Sequence, residues 1–287
     1  MADATTTARS LNNRQMGLLM VLPAVLLMSV FYVYPLLQVL WISGTEPTVG
    51  LGNYQALAES GVVRRIAMTT ARVCLTTTAI AVLLGYVVAY AMATGTPRRR
   101  NLILMLVVAP MWVSALVRAF AWVVLLRQEG PVNALLVGSH VLAQPLQMLW
   151  TEAGVVIGMV HYMVPYAVLP LYASMRDVDA RLPMAARGLG ASRLQAFMRV
   201  YLPLTVPGIV AASALVLVYS LGFFVIPAIL GGGKTLMTAE YIRLQITELL
   251  QWGPGTALAV VLVVVVLALL ALMTRVVGAR RVFGGAG

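Results

Sequence analysis

Residues 176–208 read RDVDARLPMAARGLGASRLQAFMRVYLPLTVPG, and the arrangement of the whole chain is decided by this stretch. It is the one long polar interruption between two strongly apolar segments, and it carries Arg176, Arg181, Arg187, Arg193 and Arg199. Pro183 suits the first turn of a short helix, where a missing N–H costs little. Ala185 and Ala186 give that helix a low face that another protein can approach closely. Gly190 stands where a helix end calls for a left-handed residue, a conformation that glycine adopts without a Cβ penalty. Ser192 and Gln195 have the spacing of a capping box that starts a second helix. On it Leu194, Phe197, Met198 and Tyr201 share one face by their i, i+3, i+4, i+7 spacing, and Pro203 is expected to close it. The stretch reads as a helix-turn-helix on a membrane surface.

Outside this stretch the chain is dominated by apolar residues, 61% against only 10% charged. Soluble domains carry about a quarter charged residues, so this is an integral membrane protein. The apolar runs are long and continuous, which excludes the short alternating strands of a β-barrel. A net charge of +11 is explained by arginine-rich loops of a membrane protein, and no nucleic-acid partner is indicated. Cys74 is the single cysteine, so no internal disulfide or cysteine-based metal site is available. His140 and His161 belong to different segments. With no catalytic or metal constellation, the chain is not expected to be an enzyme.

A bilayer core of about 30 Å needs roughly 20 helical residues, and six runs meet that length: 16–42, 68–92, 102–126, 153–174, 204–230 and 256–277. The expected fold is therefore all-α, one polytopic domain over residues 1–287 with six spans. The first run is too long for a signal-peptide core and lacks a clear cleavage site, so it reads as an uncleaved helix, kinked at Pro23 and Pro35. Residues 43–67 read as a loop. The apolar stretch 132–142 is too short to span and reads as a re-entrant or surface helix. The glycines at 231–233 are expected to break the fifth helix, and 235–255 to form an amphipathic outer segment. Lys and Arg number 13 on the side of the N-terminus, the Arg98 loop, the 176–208 stretch and the C-terminus, against five on the other side. The positive-inside rule then puts residues 1–15, 177–203 and 278–287 in the cytoplasm, with anionic lipid as neighbour to the basic loops.

The spacing from Ala185-Ala186 through Gly190 to Leu202-Pro203 resembles the Glu-Ala-Ala loop of the membrane subunits of bacterial ABC importers. The phrases SALVRAFAWVVLL, MVPYAVLPLYASM and FFVIPAILGGGKTLM resemble permease subunits of the spermidine/putrescine type, over roughly residues 17–277. The resemblance implies a pore built with a second homologous permease in the inner membrane, and a periplasmic binding protein that delivers the solute to the outer loops 43–67 and 235–255. It also implies two ATPase subunits, which hold the ATP and Mg that this chain does not bind. Contact with the ATPase would fall to Met184, Ala185, Ala186, Gly190, Ala191, Ser192, Phe197, Leu202 and Pro203. Met184 stands where the family has its glutamate, which leaves packing and the arginines to hold that contact.

The residues themselves narrow the mechanism. No Asp or Glu falls inside an expected span, whereas proton-coupled carriers generally use intramembrane carboxylates. The run Gly231-Gly232-Gly233-Lys234-Thr235 comes after a membrane span instead of joining a strand to a helix, so it is a turn and not a phosphate loop. Arg72 and Arg118 are the intramembrane charges, each costing about 2.5–3.5 kcal/mol on insertion scales. Arg72 is expected to snorkel towards the outer headgroups. For Arg118 two roles stay open, a partner to backbone carbonyls or a lining residue of the pathway. Tyr162, Tyr219, Phe223 and Phe224 are the other pathway candidates, with His161, Tyr166 and Pro165 nearby in sequence. The type resemblance points to a polyamine or related amine as cargo, although no buried acid is expected in this chain to meet an ammonium group. The alternatives are an aminophosphonate or other organic anion, or an iron complex, as cargo. Rivals from other classes are a carrier or channel that needs no ATPase and a membrane scaffold.

Overall fold

The computed structural model describes residues 13–277, so the expected terminal segment 278–287 and most of 1–15 lie outside the described residues. Among the described residues every regular element is a helix, as expected. The chain begins with α1 (Asn13–Met28), which passes through a π turn at Ser29–Val33 into α2 (Tyr34–Thr45). Pro35 has no N–H to offer the carbonyl of Phe31, and the helix answers by widening, so that the Tyr34 N–H reaches the carbonyl of Ser29.

The expected loop at 43–67 is corrected. It holds α3 (Gly52–Glu59) and the start of α4 (Gly61–Ala93), which begins seven residues before the expected span at 68. Arg64 and Arg65 hide this start from a hydropathy reading, while the Ser60 side chain, accepting from the Val63 N–H, caps it. Buried Asn53 ties the segment together by donating to the carbonyls of Ser43 at 3.0 Å and Glu46 at 2.6 Å.

The third expected span is also corrected. Helix α5 (Pro97–Val108) tightens into a 3₁₀ turn at Ala109–Trp112, and the chain then breaks before α6 (Ala115–Leu126). The two halves are bent by 100°, so 102–126 is not a straight rod. Pro110 explains the break, because it deprives the Leu106 carbonyl of its helical donor, and Val113 and Ser114 then take extended backbone angles. The expected short surface or re-entrant helix is α7 (Pro131–Gly138). Asn133 fixes it, donating to the carbonyls of Arg127 and Leu146 and accepting from the Leu146 N–H.

The fourth span is α8 (Glu152–Arg176), succeeded by α9 (Arg181–Gly188) and α10 (Arg193–Ala196). Pro203 does not close that helix. A second π turn at Phe197–Tyr201 carries it straight into α11 (Leu202–Leu221). The offset repeats the one at Pro35: the π turn ends two residues before the proline, and the Leu202 N–H reaches back to the Phe197 carbonyl. The fifth expected span, 204–230, is broken as well. It stops at Leu221, and α12 (Val225–Gly231) is a separate short helix before the expected glycine turn. The last two helices are α13 (Thr238–Thr247) and α14 (Trp252–Val277).

The core is formed by α4, α8 and α11, where Val73, Ala81, Ala89, Met163, Ala167, Ala212 and Val216 are fully enclosed. Helices gain little from hydrophobicity against one another in lipid, so close approach over small residues must supply the contact. A Cβ on Gly85 of α4 would lie 2.8 Å from the Ala167 Cβ of α8, and one on Gly208 of α11 would meet the Ser174 side chain. At the opposite end from the basic stretch, the Trp150 N–H bonds the Leu230 carbonyl at 2.9 Å. Gly232 has φ of +53° there, and a Cβ on it would run into the Trp150 indole. Gly85→Leu is expected to destabilise the fold by about 1–3 kcal/mol through overpacking. Thermal unfolding in detergent against Gly52→Ala, at a site with open space around it, measures this.

Candidate functional site

Two places on this scaffold combine chemistry with position. The first is a cluster of rings where the broken elements meet. Tyr162 and Tyr166 sit one turn apart on α8, so they share a face. Tyr219 lies in the last turn of α11, and Phe223 lies in the break before α12, where its N–H turns back to the Ser220 carbonyl at 3.2 Å. The four rings stack loosely: Tyr166 and Tyr219 are 4.8 Å apart between centroids at 26°, and Tyr162 and Phe223 are 4.5 Å apart at 38°. Tyr162 and Tyr219 face each other at 6.5 Å and 13°. Phe224, expected alongside them, takes no part in these ring contacts and is 40% exposed.

Arg118 enters this cluster from α6, four residues after the break at Ser114. Its Cζ stands 4.0 Å above the Tyr162 ring centroid, and the residue is only 7% exposed. Its Nε and Nη1 have no hydrogen-bond partner. The cation thus lies against a ring face, a contact that is neither of the two roles left open by the sequence. Such contacts are worth about 2 kcal/mol or more where water is excluded. Pro165 and Pro170 lie inside α8, so the carbonyls of His161 and Tyr166 lose their ordinary i+4 donors. The ring faces, with Arg118 over one of them, form an aromatic seat that holds an organic cation of the protein's own. His161 lies beside this seat, accepting at Nδ1 from the Trp122 Nε1–H at 3.2 Å, and both line an apolar groove of about 480 Å³ at the α5–α6 elbow.

Two charge assignments change. Arg72 lies three turns inside α4, not one turn from its end, and pairs with Glu152 at the start of α8 at 3.3 Å. The expectation that the chain holds no buried acid is overturned by Glu240. It sits in the first turn of α13, is 6% exposed, and its Oε2 has no partner. Hydropathy reading missed it because α13 is amphipathic, so its buried face is set by packing against α14 and not by local apolarity.

The second place is the basic loop. Gly190 has φ of +94°, as its position required, and Ser192 and Gln195 form the capping box. The expected common face of the second helix is split: Tyr201 is buried while Leu194 and Met198 point outward. The π turn explains this, since one extra residue in the turn rotates everything beyond it out of a 3.6-residue period. Phe197 stacks edge-on against Tyr90 of α4 at 5.6 Å and Tyr90 against Tyr201 at 5.4 Å, while Tyr86 bonds Thr205 at 3.0 Å. These contacts fasten the loop to α4. Met184, Ala185, Ser192 and Pro203 are exposed, Ala186, Ala191 and Leu202 half-buried. Leu189 is 91% exposed beside Gly190, the most protruding apolar side chain of the loop. The sequence reading missed it; a leucine between two glycines in a polar stretch was the signal.

Residues 81–282 match the model of the binding-protein-dependent transport system inner membrane component family. The chain is similar to the spermidine/putrescine transport system permease protein PotB of Haemophilus influenzae, 40% identical over 187 residues that cover 65% of each chain. It is likewise similar to PotB of Escherichia coli, 33% identical over 215 residues, 75% of this chain and 78% of that one. Of solved structures, a bacterial ABC transporter involved in the import of the acidic polysaccharide alginate aligns over 93% of this chain and 96% of its own. The TM-score is 0.73 and the identity 19%, a likeness of fold.

Burial pushes the Glu240 carboxyl above the ordinary carboxylate range, against smaller downward pulls from Arg243 and the Met237 backbone. A carboxyl raised by folding holds more protons folded than unfolded, so its contribution is present at low pH and lost as pH rises through its raised pKa. Glu240→Gln is expected to be more stable than the parent at neutral pH, with the gap closing towards the ordinary carboxylate range. Thermal unfolding over a pH series measures this, and a pH-independent gap would count against it.

Proposed function

The chain belongs to the family of binding-protein-dependent transport system inner membrane components, and on that premise we propose that it forms one half of the pore of an importer whose cargo is a polyamine or related small amine. A second, homologous permease completes the pore, and two ATPase subunits carrying ATP and Mg dock on the basic loop. A periplasmic binding protein presents the cargo at the end formed by α3, α7 and α13. The excess of Lys and Arg, 13 against five, supports the orientation with the basic loop in the cytoplasm.

The observation that carries the cargo assignment is Arg118 lying 4.0 Å over Tyr162 within the ring cluster: the seat already accommodates an organic cation. The names of the PotB relatives point the same way. In operation, closure of the ATPases displaces the α9–α10 loop. The continuous helix from Arg193 to Leu221 carries that displacement to Tyr219. The breaks at Ser114 and Gly222 then let α6 and α12 reorient, exposing the seat to one side of the membrane and then the other. The docking contact rests on Met184, Ala185, Ala186, Leu189 and the surrounding arginines, with Gly190 shaping the turn.

One observation favours a second cargo class. The unpartnered Nε and Nη1 of Arg118 are donors that an organic anion would satisfy. Uptake by the assembled importer in proteoliposomes separates the two. ATP- and binding-protein-dependent accumulation of spermidine is expected; accumulation of an aminophosphonate with none of spermidine would assign the anion instead. For the docking role, Gly190→Val places a β-branched residue at positive φ, costing about 1–2 kcal/mol locally. It should leave membrane insertion intact and lower cargo-stimulated ATP hydrolysis at least tenfold; unchanged hydrolysis would remove the loop from the docking site.

A further inference from the structure

The cation over Tyr162 belongs to the protein itself. Guanidinium groups buried in proteins ordinarily fork onto carboxylates. The ion pairs among the described residues are Arg72–Glu152, Arg176–Asp177 and Arg243–Glu248, and Arg118 is in none of them. Its charge is met by the face of a ring, and two of its three nitrogens bond nothing. A purely structural arginine would leave few donors empty at this depth, because each unmade bond there carries a desolvation cost. The side chain is also mounted on α6, on the far side of a 100° bend from α5, and meets α8 at the face of the Tyr162 ring.

We propose that Arg118 is a tethered occupant of the aromatic seat, a built-in cation that fills the site for an ammonium group and must leave before a cationic cargo can bind. Two unit positive charges about 5 Å apart, at the effective dielectric of about 20 that suits protein interiors, repel by an amount that lowers affinity on the order of a hundredfold. Arg118 and an ammonium group therefore cannot share Tyr162. In the resting protein the guanidinium blocks entry of small cations, which an inside-negative membrane potential would otherwise drive through a ring-lined path. When α6 swings about Ser114 the seat empties and becomes competent for cargo. Arg118 thus sets selectivity by competition, which fits both its missing partners and its place beside a break.

The displacement of Arg118 by cationic cargo rests on the amine-importer reading and is probed with spermidine; the block on small cations is probed independently of the cargo. The assembled importer is reconstituted in proteoliposomes without ATP or binding protein, and passive entry of methylammonium is recorded. Arg118→Gln is expected to raise that entry at least tenfold, Arg118→Lys to keep the parental rate, and Arg118→Ala to be blocked again by low millimolar guanidinium. Tyr162→Leu, which removes the seat and leaves the charge, gives a second route if the glutamine variant assembles poorly, and it too should raise entry. In parallel, equilibrium dialysis of the detergent-solubilised complex should show Arg118→Gln binding spermidine at least tenfold more tightly than the parent. Unchanged methylammonium entry in both Arg118→Gln and Tyr162→Leu overturns the proposal. Raised entry with no spermidine binding by either protein sustains the tethered-cation role and overturns the polyamine cargo.

Discussion

The close approach of α4, α8 and α11 is the constraint on which the other features depend. In a bilayer, lipid tails solvate leucine as well as a neighbouring helix does, so association has to come from contact density and not from exclusion of water. Gly85 against Ala167 and Gly208 against Ser174 bring three backbones close enough for that density. Once these helices are locked, their spare faces are committed. Tyr162 and Tyr166 on α8 are held towards the end of α11, and Tyr86 and Tyr90 on α4 are held towards the basic loop. Both candidate sites lean on one helix triplet, which joins the loop at one end of the bundle to the ring cluster through α8 and α11.

Around that triplet Pro165 and Pro170 leave α8 continuous, while three other prolines change the helix in two different ways. At Pro35 and Pro203 a π turn absorbs the missing donor, and the rod continues. At Pro110 the turn tightens to 3₁₀ and the helix ends. Beyond Pro35 and Pro203 the backbone keeps helical angles. Beyond Pro110, Val113 and Ser114 take extended angles that free the chain to turn by 100°. Freed carbonyls and a reoriented helix start are costly against lipid, and they are tolerated where other protein covers them. The ring cluster, set between the α6 start and the α11 end, is such a place.

The number of apolar segments, the short helix after Leu126, the positive φ at Gly190 and the Ser192–Gln195 cap were legible because each depends on local chemistry: length of an apolar run, a turn needing glycine, a hydroxyl three residues from its partner. The breaks at Ser114 and Gly222 were not, since hydropathy integrates over a window and remains high across them. Glu240 was hidden for a different reason. A carboxylate on an amphipathic helix reads as a solvated face, and its burial is decided by α14, a partner that no window around residue 240 contains. The ring cluster was legible as a set of candidates but not as an assembly. Tyr162 and Tyr219 are 57 positions apart in sequence, and nothing local says that Phe223 turns back while Phe224 turns away. The common face expected from Leu194 to Tyr201 failed through one extra residue in the turn, which a periodicity count assumes away.

That extra residue makes helical phase a property of the whole stretch from Arg193 to Leu221. With about 1.5 Å of rise per residue, the capping box and Tyr219 are separated by about 40 Å with no flexible joint between them. Removing one residue from the regular part of α11, where no wide turn absorbs the change, would swing the outward leucine and methionine by about 100° relative to Tyr219. A single-residue insertion or deletion there would turn the basic loop away from the ring cluster, whereas a substitution on the lipid-facing side would leave that alignment untouched.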